Sequence, residues 1–90
     1  MKITISNDQE RVVRVALGRH LIDASSILNY LNMQIEAAHE LKDKDKFPGN
    51  TDKDVQYFEN MIELYTGLIN IVNFTARYDD LLRMIILKER

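Results

Sequence analysis

From Val55 to Ile86 the chain repeats apolar side chains at helical spacing for about nine turns, more than a third of a 90-residue protein, so the rest of the fold must serve this segment. Phe58, Ile62, Tyr65, Ile69, Val72 and Ala76 follow one another in alternating steps of four and three, which places them on one face of a helix. Leu64, Leu68, Ile71, Thr75, Tyr78, Leu82 and Ile85 keep the same rhythm beside them, so the apolar face is wider than a single partner helix needs. Gln56, Glu59, Glu63, Thr66, Asn70, Asn73, Arg77 and Asp80 form the polar side. The pattern predicts a helix over residues 52–88, with a shorter third helix if the chain breaks near Tyr78-Asp79-Asp80, where either aspartate is a suitable cap.

The first half of the chain reads as a second long helix over residues 8–44. Leu17, His20, Ala24, Ile27, Leu31, Ala38 and Leu41 continue a near-heptad stripe from Val13. Asn7 and Glu10 have the spacing of a capping box, and residues 1–6 precede it as an extended segment whose Lys2-Ile3-Thr4-Ile5 alternates like a strand. Gly18 and the pair Ser25-Ser26 are weak helix formers, which marks the stretch between Gly18 and Ser26 for a kink or break. In an antiparallel hairpin, Ala24, Ser25 and Ser26 come to about the height of Gly67, an expected layer of close approach. Phe47-Pro48-Gly49-Asn50 is the strongest turn signal, so the hairpin is expected to reverse at residues 47–51, with Thr51 or Asn50 capping the second helix. The asparagines of two similar heptapeptides, Ile27 to Met33 and Leu68 to Phe74, fall on the polar faces.

The expected architecture is therefore one all-α domain over residues 1–90, a long antiparallel helical hairpin. A domain this small buries only about two-thirds of its unfolded surface. A hairpin also has a single seam, which leaves the second apolar stripe without cover. The simplest cover is a second copy, giving a four-helix bundle dimer with Leu64, Leu68, Ile71, Tyr78, Leu82 and Ile85 in its interface. Residues 36–63 hold eight acids against four lysines, whereas Arg11, Arg14, Arg77, Arg83, Lys88 and Arg90 gather towards the free end, which favours an opposed arrangement of the two copies.

Composition narrows the function classes. With no cysteine there is no disulfide, thiolate metal site or Cys nucleophile, and no apolar run reaches the ~20 residues of a membrane span; a soluble, cytoplasmic protein without cofactor is expected. A net charge of −2, with basic residues scattered at one end, argues against nucleic acid as a partner. Tyr30, Tyr57, Tyr65, Tyr78, Phe47, Phe58 and Phe74 are expected as core and interface anchors. No phosphate loop, dinucleotide fingerprint, zinc-protease motif or nucleophile elbow is present.

Three constellations carry chemistry on paper. Glu36 and His39 have the E-x-x-H spacing of helical metal sites, although both continue a polar face. Glu36, Glu40, Glu59 and Glu63 have the i, i+4 spacing that lets two helices hold Mg²⁺ in an all-α nucleotide hydrolase, the alternative enzymatic reading. Arg14 and His20 share the spacing of some helical ribonucleases, but a lone histidine on an apolar stripe is more often a satisfied core residue, which would make association sensitive to pH. The favoured reading is a non-enzymatic protein–protein interaction module, a small regulator, inhibitor or scaffold for a larger macromolecule. Asp43, Asp45, Phe47, Asp52 and Asp54 near the turn are its expected contacts, and the N-terminal segment is a second candidate surface.

Overall fold

The computed structural model describes residues 5–75 and 78–88, and among these every regular element is helical. Four helices follow in order: α1 (Asn7–Gly18), α2 (Ala24–Leu41), α3 (Asp52–Thr75) and α4 (Tyr78–Lys88). Helices α2 and α3 pack closely as the expected hairpin, and α1 touches both α3 and α4. The helix expected over residues 8–44 is thus two helices, and that expected over 52–88 is also two, the second starting at Tyr78 as the shorter third helix of the sequence reading. Lys2 to Thr4 of the strand-like segment lie outside the described residues, and Ile5 packs against the helical core.

The break in the first half has a defined cause. Arg19 caps α1, and His20 takes a positive φ of 61°. The His20 N–H donates to the Leu17 carbonyl and the Leu21 N–H to that of Ala16, each at 3.0 Å, which is the paired bonding of a Schellman ending. Asp23 then opens α2 by accepting from the Ser26 N–H at 2.8 Å and the Ser26 hydroxyl at 2.9 Å. These bonds hold the Asp23 carboxyl below its ordinary pKa, the backbone bond from Ser26 first. The Arg19 guanidinium lies 5.5 Å from the Tyr30 ring centroid, a cation–π contact across the turn.

At the start of α1 the capping box is Ser6 with Gln9, one residue before the Asn7 and Glu10 expected from sequence: the Gln9 N–H donates to Ser6 Oγ, and the Ser6 N–H to Gln9 Oε1. The same Gln9 lies against Gly67, where an added Cβ would come within 2.8 Å of its Nε2, so the close approach expected with Ala24, Ser25 and Ser26 is made by α1. The α2–α3 connection spans residues 42–51, longer than a tight turn. Asn50 Nδ2 bonds the Leu41 carbonyl at 2.6 Å, and Thr51 with Asp54 forms a reciprocal cap on α3.

The core is gathered at one end. Val13, Ala16, Ile27, Leu31, Leu68, Leu81 and Ile85 are essentially inaccessible, with Tyr65, Val72, Tyr78 and Leu82 completing the cluster. The Tyr78 hydroxyl, drawn from α4 into this core, donates to the Leu21 carbonyl at 2.7 Å and ties α4 to the α1–α2 turn. Burial, and to a lesser degree the Asp23 charge, pushes its pKa up to about 12. Asn29, Asn32, Asn70 and Asn73 are all exposed, as the polar-face reading expects.

Candidate interaction surface

The six residues expected to meet a second copy are placed elsewhere by the fold. Leu68, Tyr78, Leu82 and Ile85 are buried in the chain's own core, Leu64 packs against it and Ile71 is half-buried. The physical reason is the extra breaks: two shorter helices, α1 and α4, fold over the face that an uninterrupted hairpin would leave open. This stripe is therefore largely covered within one copy.

Large apolar side chains remain exposed at both ends: Val15, Ile22 and Ile86 away from the α2–α3 connection, and Met33, Leu41, Phe47 and Tyr57 on α2, the connection and α3, Met33 and Tyr57 each to 59%. Between α2 and α3 a cleft of about 160 Å³ is lined by Ala37 and Leu41 on one side and by Phe58 and Met61 on the other, with Tyr57 beside them. The Tyr57 and Phe58 rings meet edge to face at 5.4 Å. A second, wider cleft shares Tyr57 and Met61 and is bounded by Asp8, Arg11 and Val12 of α1. Tyr57 thus stands between two hollows, the first apolar and the second edged by Asp8, Arg11 and Asn60. Among the described residues no charged side chain lines the first cleft, and the charges of the second, Asp8 and Arg11, lie 3.6 Å apart. Tyr65 closes the floor, and its burial raises its hydroxyl's pKa.

Of the expected acidic contacts, Asp43, Asp52 and Asp54 have local partners. Asp43 Oδ1 accepts from the Asp45 N–H at 2.9 Å, and Asp54 is spent on the α3 cap. Asp52 meets Lys44 at 2.6 Å, and that hydrogen-bonded ammonium lowers the Asp52 pKa. Counted over residues 42–54, the four aspartates are balanced by Lys42, Lys44, Lys46 and Lys53, so the loop itself is not acidic. The surplus acids are Glu36, Glu40, Glu59 and Glu63, all exposed on the helices.

Those glutamates do not converge. Among the described residues no three His, Cys, Asp or Glu side chains come together as a metal-holding group. Glu40 pairs with Lys46 at 3.3 Å, Glu59 lies 3.9 Å from Lys42, and Glu63 borders α1 beside Gly67, away from Glu36 and Glu40. His39, like Glu36, is exposed. The arrangement lacks the shared focus that Mg²⁺-dependent hydrolysis needs. His20 is exposed in the α1–α2 turn, not buried in the core, and Arg14 pairs with Glu10 at 3.6 Å. The buried histidine on which a pH-sensitive association depended is therefore absent from the described core.

Met33, Ala37 and Leu41 recur at i, i+4 and i+8, a short stripe hidden in the sequence beside the stronger one through Ile27 and Leu31. Tyr57 stands one position outside the Phe58 stripe, and its exposure was not legible from spacing. Among the described residues no helix is long and apolar enough to cross a membrane. Compared with family profiles, with curated proteins and with solved structures, the chain matches none.

Proposed function

We propose that this protein is a non-enzymatic, cytoplasmic protein–protein interaction module, a small regulator, inhibitor or scaffold that holds a larger macromolecule against the turn end of its hairpin. One observation carries the reading: Leu41 and Tyr57 are exposed and line an apolar cleft between α2 and α3, and Met33 on α2 and Phe47 in the α2–α3 connection are exposed as well, while the buried cluster lies at the other end. Isolated surface leucines are ordinary, but an aromatic and aliphatic group around a concave patch has the make-up of an interface centre. Phe47, at the tip of a loop held by Asn50 and by the Lys44–Asp52 pair, is presented on a preorganised support.

The test is capture from extract of the source cell by the tagged chain, run beside a Met33→Lys, Phe47→Lys variant. Both positions are exposed, so the variant should keep its helical circular dichroism. A macromolecule retained by the native chain and lost from the variant supports the reading. Equal retention by both, or none by either, removes it.

A further inference from the structure

Helix α1 closes on the rest of the molecule as a strap. We infer that it opens as a unit about its joint with α2 while α2, α3 and α4 stay folded, and that opening lays bare an apolar stripe along α3. The motion needs no partner, so it stands apart from the interaction reading above.

The strap is lightly held. Helix α1 is 12 residues long and sets two side chains in the buried cluster, Val13 and Ala16, one of them an alanine. Helix α4 is 11 residues long and sets four there, Tyr78, Leu81, Leu82 and Ile85. Because apolar stabilisation scales with the area removed from water, α1 is the terminal helix with less to lose on leaving. Its seam with α3 is also loose. It opens into hollows of about 460 and 400 Å³, one between Val12 and Leu64 and one between Ser6 and Glu63, whereas a tightly packed seam leaves few voids larger than a water molecule.

The joint supplies a hinge and a latch. Leu21 and Ile22 belong to neither helix: α1 finishes in the bonds from His20 and Leu21 back to Leu17 and Ala16, and α2 begins at the Asp23 cap. Ile22, exposed to 62%, is the residue that absorbs the swing of the backbone. Leu21 moves with α1, because its N–H donates to the Ala16 carbonyl, and its own carbonyl is held by the Tyr78 hydroxyl at 2.7 Å. That bond latches the strap to α4.

What the strap covers is continuous with what is already open. Tyr57, Met61, Leu64 and Leu68 recur in steps of four, three and four, one stripe on α3. Tyr57 at one end is exposed, Leu64 shares a hollow with Val12 of α1, and Leu68 is inaccessible. With α1 lifted, the exposed end extends from Tyr57 through Leu64 towards Leu68.

Native-state hydrogen exchange of the full chain, read by NMR at rising sub-denaturing urea, tests the strap. The amides of residues 12–18 should share one protection factor, at least about tenfold below those of Leu31 and Leu68. Their urea dependence should be the smaller, since lifting one helix exposes less surface than global unfolding. Tyr78→Phe should speed exchange over residues 12–18 about fivefold. A lock provides the converse: Gln9 Nε2 lies within 2.8 Å of where a Gly67 Cβ would stand, and the chain has no cysteine. Gln9→Cys and Gly67→Cys joined by a short bis-maleimide should therefore raise the protection of residues 12–18 to that of Leu31, and the same variant blocked with N-ethylmaleimide should not. Protection and urea dependence equal to those of Leu31 in the native chain overturn the inference. So does protection graded along residues 12–18, which is fraying, or exchange there that neither Tyr78→Phe nor the cross-link moves.

Discussion

The two ends of the α2–α3 hairpin are built from the same kind of helix and finished in opposite ways. At the free end, Ile27, Leu31, Leu68 and Val72 are enclosed because α1 and α4 lie over them. Towards the turn α2 and α3 pack mainly on each other, with Ala38 and Tyr65 buried between them. Two packed helices shield one seam, whereas additional helices shield a centre. The free end holds the fold together, and the turn end leaves Leu41, Phe47 and Tyr57 exposed.

Truncation should separate the ends most strongly. Leu31→Ala opens a cavity in the enclosed cluster and should cost about 3 kcal/mol, within the usual range for a buried leucine, while Leu41→Ala should change stability by less than about 0.5 kcal/mol. Urea unfolding followed by circular dichroism reads both; equal losses would mean that the turn end is packed as tightly as the core. Next comes the bond from the Tyr78 hydroxyl to the Leu21 carbonyl. Tyr78→Phe should cost about 1 kcal/mol. Because the folded pKa is raised from 10.0 to about 12, the native chain should be fully stabilised by this group below pH 10 and lose that contribution as pH climbs towards 12. The variant should lack that alkaline decline, and a decline unchanged by the substitution would assign it to other groups.

A smaller effect of opposite sign is expected at the α1–α2 turn. His20 occupies the left-handed position where glycine is usual, and Gly18 occupies a helical position with open space around its Cα. His20→Gly and Gly18→Ala should therefore each stabilise by about 0.5–1 kcal/mol. Thermal unfolding that moves down for either would show that the turn is held otherwise. The smallest effect is at acid pH. Asp23, with its pKa below 3.8, supports α2 above that value and ceases to do so as pH falls through its folded pKa; Asp23→Asn should flatten this acid limb slightly. An identical limb in the variant would exclude Asp23 as its source.

Much of the fold was legible in the residues. The periodicity over 52–88 and the turn chemistry of Pro48-Gly49-Asn50 pointed to the hairpin, while the weak formers around Gly18 and the aspartates after Tyr78 marked the two places where its helices could break and do. The capping box was misplaced by one residue because Asn7 and Ser6 are both competent caps, and spacing alone does not choose between Gln9 and Glu10. His20 read as a core residue because it continues a stripe on a helix that in fact ends before it; once the chain leaves the helix, the 3.6-residue register no longer says where a side chain points. The candidate site was less legible. Phe47 was recognised and is exposed, but Leu41 belongs to a stripe that sequence counts as buried, and Tyr57, expected as a core or interface anchor, lies outside the stripes.

The sequence by itself determined that this chain is helical, that it doubles back around Phe47 to Thr51, and which side chains require cover, since backbone propensity, capping and amphipathic spacing act over a few residues and are written locally. Only the tertiary structure decided which of those side chains the chain covers itself. That depends on α1 and α4 covering Leu68 and Tyr78 while leaving Met33 and Tyr57 exposed. Reach is set by the lengths and directions of helices after two interruptions, and hydrophobic burial, being non-directional, is satisfied by whichever surface arrives.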